Sequence, residues 1–421
     1  MANHIVRKTK IATSLSLILS ASVSLPLLAQ EEANQDVEVI QVTGFKSSIK
    51  ESTRLKRDAA GVVDAISAED IGKFPDTNLA ESLQRITGVS IDRSNGEGSK
   101  VTVRGFGPDY NMVTLNGRTM PAASLPAGGG TPNSRAFDFA NLASDSVKSV
   151  EVYKTGKASI ASGGIGATIN INTARPLDNP GFISSIGVKA LHDTTNRVGD
   201  DITPELSGII SWTDSEAKFG ASLTASMQQR DSSSTGAFVN QWNTSAFDGT
   251  IPQAADDIVL TNAPEIGQLY SMPSDLRYTI ADRERTRTNA QLTFQYSPID
   301  DLTATLDYTY SKQDLFEARA EQSLWMDNYK SALTFDDNTV KTPVYYREER
   351  RDLQTRDLGL AFQELNQVNK NDSIGLNVEY YFNSELSFMF DAHNSKATSK
   401  PDAPYGSWVN AGLGANVINA Q

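Results

Sequence analysis

Two stretches late in the chain alternate apolar and polar residues without a break. In Ala290–Tyr296, Ala290, Leu292, Phe294 and Tyr296 alternate with Gln291, Thr293 and Gln295. In Leu302–Tyr310, Leu302, Ala304, Leu306, Tyr308 and Tyr310 alternate with Thr303, Thr305, Asp307 and Thr309. A period of two belongs to a β-strand whose faces meet different surroundings. Phe219–Met227, Ile374–Phe382 and Leu386–Phe390 repeat the pattern, and Ser184–Ala190, Leu206–Trp212 and Leu358–Phe362 carry it more faintly. Tight turns (213–218, 297–301, 383–385) alternate with long connections (229–286, 311–356). Short turns at one rim and long loops at the other characterise a transmembrane β-barrel, because sandwich loops are rarely so unequal. The apolar set then faces lipid and the polar set a wet lumen, with Tyr296, Tyr308 and Tyr310 near the headgroups and Trp212 in the aromatic belt.

A parity argument exposes a gap. If the first barrel strand runs outward, tight turns follow even-numbered strands. The turn at 383–385 falls after the seventh strand, which predicts a missed crossing between 311 and 373, at Ala332–Phe335 or Val340–Tyr346.

The first half of the chain is patterned differently. Val62–Ile66, Val89–Arg93, Val101–Arg104, Met112–Leu115, Val150–Lys154 and Ala167–Thr173 are short β-prone runs. Ser67–Asp70 resembles a capping box. Asp76 is placed to cap a helix whose Leu79, Leu83 and Ile86 share one face, with Gly88 at its stop. The runs Val101–Arg104 and Met112–Leu115, joined through Gly105, Gly107 and Pro108, read as a hairpin at the middle of a small α+β domain, and Asn116-Gly117 suits a type I′ turn. Phe137–Val147 is weakly helical in pattern. Lys46–Arg57 reads as a charged linker or short helix.

Composition narrows the chemistry. The chain has 421 residues, a formal charge of −13 and no cysteine, which removes disulfides and thiolate metal sites. An acidic chain makes a poor nucleic-acid binder. His192 and His393 lie far apart, and no catalytic constellation stands out, so an enzyme is not expected. Gly163–Gly166 precedes a strand and lacks a following Lys-Ser/Thr, so it does not read as a phosphate loop. No metal or cofactor is implied. Met1–Lys10 is basic, Ile11–Leu28 is apolar or small, and Ala29-Gln30 opens an acidic run, the order of a secretory signal peptide over residues 1–29. Residues 30–60 form a flexible segment holding the isolated β-prone stretch Val37-Glu38-Val39-Ile40-Gln41-Val42-Thr43, which suits equally pairing with the sheet edge of a partner and service as the first strand of the next domain.

In order, the IQVTG segment, NLAESLQRITGVSIDR, VTVRGFG, VTLNGR, VEVYKTG and GGIGATININT resemble the plug of TonB-dependent outer-membrane receptors, over about residues 37–178. The wording around Ile71–Arg93 is similar to a proteobacterial subgroup often linked to oligosaccharide uptake. The resemblance implies an α+β plug domain (61–178) followed by antiparallel transmembrane β-barrel strands (179–421). Barrels of this family have about 22 strands. About 240 residues remain after the plug, too few at roughly ten per strand plus loops, so the barrel is expected to be incomplete in this chain.

The resemblance further implies an importer, exported to the bacterial outer membrane and bathed in its lipid. Its expected partners are TonB, with the inner-membrane complex that energises it, and a small-molecule ligand. Val37–Thr43 would pair with TonB. Exposed rings in plug apices and long loops favour an oligosaccharide, with Phe106, Tyr110, Arg135, Trp242, Trp325 and Trp408 as candidate ligand contacts. A siderophore-iron receptor of the same family is the alternative. An assembly pore or a non-functional truncated receptor is more remote. Arg104 and Arg118 on the plug, against Asp307, Glu379 and Asp391 in the lumen, are candidates for plug–barrel ion pairs.

Overall fold

The computed structural model describes residues 45–59, 61–67, 78–94, 96–122, 134–142, 147–326, 329–349, 356–404, 406, 408–417 and 419–420. The leader, the Val37–Thr43 stretch, Ala68–Asp70 of the capping box, Asp76 and the 123–133 loop fall outside these residues.

Helix α1 (Phe45–Asp58) resolves the linker-or-helix alternative, with Lys56 and Arg57 in its last turn where the helix dipole favours cations. Lys56 reaches Asp64 of β1 (Val63–Ser67), and Lys154 holds the same carboxylate from the other side. Helix α2 (Leu79–Leu83) starts from Asn78, not Asp76. The Asn78 side chain accepts from the Ala80 and Glu81 amides and donates 2.6 Å to the Gly98 carbonyl. Leu79 and Leu83 are fully buried, and Ile86 sits just beyond the helix in the same core.

β2 (Val89–Ser94) and β3 (Glu97–Val103) form their own hairpin. β4 (Asn111–Leu115), β5 (Arg118–Thr119), β6 (Val147–Tyr153) and β7 (Ala167–Thr173) join β1 in a five-stranded sheet, order β1-β6-β7-β4-β5, with β4 and β7 parallel. The expected hairpin between Val101–Arg104 and Met112–Leu115 is therefore wrong. β3 turns back on β2, while β4 finds its partner about 55 residues later in β7. Local turn chemistry was visible in the sequence, but a parallel pairing leaves no short-range signature. Asn116-Gly117 does make the tight turn, with φ of 53° and 82°, and it joins β4 to β5. Arg104 and Gly105 take the same pair of signs, φ 54° and 80°, beneath a Val103–Phe106 bridge. Of Phe137–Val147, the described part holds a 3₁₀ turn at Phe139–Asn141 rather than a helix, and β6 already begins at Val147.

From residue 182 the chain is a meander. β8 (Phe182–His192), β9 (Ile202–Thr213) and β10 (Phe219–Phe238) lead into a long connection carrying β11 (Trp242–Ala246), β12 (Ala254–Thr261) and β13 (Leu269–Pro273). β14 (Asp275–Ile299) and β15 (Leu302–Trp325) follow, then β16 (Lys330–Phe335) and β17 (Pro343–Glu349), then β18 (Arg356–Tyr381), β19 (Ser387–Pro401), β20 (Trp408–Val417) and β21 (Asn419–Ala420). The wall runs β19-β18-β15-β14-β10-β9-β8, and it does not close on itself among the described residues. β19 and β20 pair with successive halves of β18. Gln291, Thr293, Gln295, Thr305, Asp307 and Thr309 are buried on the inner face, and Phe294, Tyr296, Leu306 and Tyr308 stand exposed on the outer. Trp212 and Phe219 meet at 6.1 Å on the tight-turn rim, as an aromatic belt requires.

The parity gap closes in a different way from that expected. Leu358–Phe362 and Ile374–Phe382 belong to one strand, β18, so the turn after Tyr381 follows the sixth strand of the wall, not the seventh. No crossing was missed. Ala332–Phe335 and Val340–Tyr346 contribute instead to β16 and β17, which lie in a separate sheet, β12-β16-β17-β21. The two long connections thus share a sheet, through parallel β12–β16 pairing. They also share a core of Phe247, Ile251, Tyr270, Met272, Leu333 and Phe335.

Candidate functional site

The N-terminal domain lies against the inner face of the wall, and its contacts there are mostly polar. The turn at Asn116-Gly117 aims Arg118, which is 4% exposed, into the wall. One guanidinium nitrogen is 2.6 Å from Asp307 on β15, while Nε and the other terminal nitrogen take Asp391 on β19 at 2.9–3.1 Å. Asn377 on the intervening β18 also donates to Asp391. Planar, two-sided recognition of carboxylates is what arginine does and lysine cannot.

A second contact has the opposite polarity. Glu97, at the start of β3 and buried, is gripped by Arg285 of β14 and Arg230 of β10. Arg230 is itself held by Asp193 at 2.8 Å. Gln228 accepts from Arg285 at 3.0 Å and from Arg287 at 2.6 Å, and Arg287 donates 2.9 Å to the Ala140 carbonyl. Arg285 lies eight residues along β14 from Thr293, the partner of Asp307. At roughly 3.3 Å per residue, the two contacts are about 26 Å apart along the strand.

Between them the seam is polar and thinly bonded. Ser311 donates to the Asn141 carbonyl, and Leu177 donates its amide to Gln295 at 2.9 Å. Among the described residues, side-chain atoms of Asn289, Gln291, Thr293, Thr309 and Gln313 are buried with no hydrogen-bond partner. A small void lies between Leu142 and β10, β14 and β15. Such groups hold water when a site is roomy enough.

Other residues singled out from the sequence are placed as follows. Arg104 does not reach the wall contact expected of it, since its guanidinium turns 2.5 Å onto the Gly166 carbonyl. The constraint is its left-handed turn, which folds the side chain back over β7. Glu379 lies 3.9 Å from Arg175 rather than from Arg104 or Arg118. Phe106 and Tyr110 are exposed, edge to face at 6.4 Å, at the end of β4 and β7 away from Arg118. Arg135 is exposed and donates to the Gly163 carbonyl. Asp109 accepts from the Ser134 hydroxyl at 2.6 Å and from the Arg135 and Ala136 amides. The Ser134 hydroxyl, ahead of those amides, holds its carboxyl below the usual range.

Trp325 is the last residue of β15, not part of a loop. It pairs with Asp275, and Arg277 sits over its ring at 5.3 Å. Trp242 pairs with Pro273, so the two tryptophans flank residues 273–275 from opposite sides. Trp408 opens β20, but its side chain lies outside the described set. The Glu97 contact was missed by sequence reading. Its signal was a row of arginines at period two, Arg283, Arg285 and Arg287, running into the polar face Asn289, Gln291, Thr293 and Gln295.

Residues 55–168 match the TonB-dependent Receptor Plug Domain family. The ferric enterobactin receptor PirA of Pseudomonas aeruginosa is 27% identical over 157 residues, 35% of this chain and 21% of the relative. The vitamin B12 transporter BtuB of Vibrio cholerae is 28% identical over 189 residues, 44% of this chain and 28% of the relative. The matched stretches span less than a third of those relatives' length. Among solved structures, the outer membrane transporter YddB from Escherichia coli aligns with 12% identity and a TM-score of 0.41, covering 84% of this chain and 52% of that one. Residues 55–168 thus form a plug domain of the TonB-dependent receptor type, and an antiparallel wall of strands follows it.

Proposed function

We propose that this chain serves TonB-dependent import of a small ligand across the bacterial outer membrane, with the plug as the gate. The observation that carries the reading is the chemistry of the plug–wall seam. A permanently docked domain buries apolar surface against its neighbour. Here the apolar core belongs to the plug alone, and the wall contact rests on two ionic grips and an under-bonded polar seam. The under-bonded seam can take up water at modest cost, and the two grips can open where other charges replace those withdrawn. The Val37–Thr43 stretch supplies the pulling point, by strand addition to TonB's sheet. Residues 1–29 supply export.

The ligand class we favour is an oligosaccharide. Trp242 and Trp325 are both exposed and flank one short strand segment, a spacing suited to stacking on sugar faces. The relatives named for ferric enterobactin and vitamin B12 favour a second reading, uptake of a chelated metal or a cobalamin.

Uptake of labelled oligosaccharide by the full-length receptor, with and without residues 37–43, tests both parts. Loss of uptake on deletion supports coupling, and equal uptake refutes it. A receptor that carries a ferric chelate but no sugar would replace the first ligand reading with the second.

A further inference from the structure

Glu97 occupies a place in the wall built for an anion, and one buried guanidinium donor beside it is left unused. Arg230 and Arg285 hold it, and Gln228 links Arg285 to the neighbouring Arg287. Arg285 is more than nine-tenths buried, and its Nε has no hydrogen-bond partner among the described residues. Asp193 balances Arg230 from the side of the β8–β9 turn. The Arg118 grip, nearer the tight-turn rim, has the reverse polarity, with the cation on the plug and the acids on the wall. Among the described residues, an incoming anion therefore has one complementary site between these two grips, and the plug's own carboxylate fills it.

We propose that Glu97 is an internal stand-in for an acidic group of the transported ligand, and that a ligand bearing two or more carboxylates displaces it from Arg230 and Arg285. Simply withdrawing Glu97 would leave buried guanidinium groups uncompensated, which is the costly way to break a buried ion pair. Exchange avoids that cost. The ligand's carboxylates satisfy the arginines, including the spare Nε, while Glu97 passes to water. Loosening is thereby tied to ligand charge and confined to the β2–β3 hairpin, and the Arg118 grip stays shut. The inference rests on the importer reading above and narrows its ligand to an acidic one, an acidic sugar or another polycarboxylate.

The chain has no cysteine, so a single Asp92→Cys on the exposed edge of the hairpin can carry a nitroxide in the otherwise native full-length receptor. The labelled receptor in detergent is titrated with trigalacturonate, with citrate, and with fully methyl-esterified trigalacturonate. Saturable mobilisation of the label by either acid, and none by the ester, is the expected result. Trigalacturonate alone would mark an acidic sugar, and citrate alone a non-sugar polycarboxylate. Glu97→Gln removes the competitor, so it is expected to start mobile and to bind the effective acid about tenfold more tightly. Arg285→Gln is expected to abolish that binding. Asp391→Asn, which weakens the other grip, is expected to leave acid affinity unchanged and so separates displacement from general loosening. Absence of any response to both acids, an equal response to the ester, or unaltered affinity in Glu97→Gln overturns the proposal. TonB takes no part in these measurements, so failure of the coupling segment would not be mistaken for failure here.

Discussion

Gly375 leaves empty the space that the Arg118 guanidinium fills. A Cβ built on Gly375 would collide with Nη1 and Cζ of Arg118. Gly375 pairs with Asp307 across β15 and with His393 across β19, so its missing side chain lies between the two acids that Arg118 holds. The wall has thus been hollowed at one residue to let a plug arginine lie flat between strands.

Gly375→Ala is accordingly expected to expel Arg118 while leaving β18 paired, because alanine is acceptable in a strand and Gly375 has an ordinary φ. Expulsion unpairs the buried Asp307, a disruption of about 3–5 kcal/mol for a buried ion pair. Urea unfolding of the plug within the full-length receptor, followed by a single-cysteine label, measures the loss. Arg118→Lys should lose less than Gly375→Ala, since a lysine keeps the charge but reaches only one acid at a time. Equal stability of Gly375→Ala and the unaltered receptor would show that the grip contributes nothing.

Asn78→Ala tests a different part of the plug. Asn78 is fully buried and does two jobs, capping α2 and donating to the Gly98 carbonyl of β3. Loss of the cap costs about 1 kcal/mol, and the orphaned carbonyl adds about 1–3 kcal/mol. Asn78→Asp keeps the cap and loses the donor, so its plug-unfolding midpoint should fall between those of the native chain and the alanine variant.

The sequence disclosed what depends on near neighbours. Strict alternation over Ala290–Tyr296 and Leu302–Tyr310 predicted which side chains face inward, and Asn116-Gly117 predicted its own turn. It concealed what depends on distant pairing. Nothing near Met112 says that β4 pairs in parallel with β7. Nothing in the polar stretch 363–373 says that β18 continues through it, because apart from Leu365 its buried positions are Gln, Asn and Ser, and the outward ones lose their apolar signature. The grips were half legible. Arg118, Asp307 and Asp391 stood out as charges in interior positions, but the room made by Gly375 is a vacancy that only the register of three strands discloses. Glu97 was hidden beside a turn, at the first residue of β3, where an acid is ordinary.

Acid should test the turn between β16 and β17. Asp336 accepts from the Thr342 hydroxyl at 2.6 Å and amide at 3.0 Å, and from Asn338. The Thr342 hydroxyl first, then its amide, lowers the carboxyl to about 2. A carboxyl depressed in the folded state stabilises that state above its unfolded value of 3.8, and the contribution disappears as pH falls through about 2. NMR titration of Asp336 should give a midpoint near 2, moving toward 3.8 in Thr342→Val. A midpoint already at 3.8 in the native chain would mean these hydrogen bonds do not form in solution.

The long connections should behave as one body. Leu333 of β16 is fully buried and Phe335 nearly so, and both pack against Phe247, Ile251, Tyr270 and Met272 from the preceding connection. Tyr270 lies edge-on between Phe247 and Phe335, at 5.9 and 6.2 Å. Asn262 adds a polar staple, donating to the Phe335 and Asp336 carbonyls and accepting from Lys341 at 2.6 Å. Phe335→Ala removes a shared anchor and should cost this small core about 3–5 kcal/mol. So small a core holds little stability in reserve, so the loss should exceed what it can absorb. Hydrogen exchange then reads the coupling directly. Amides of β12 and β13, more than sixty residues upstream, should lose protection together with those of β16 and β17, while β14 and β15 in the wall keep theirs. Loss confined to residues 330–349 would show two independent loops that merely touch.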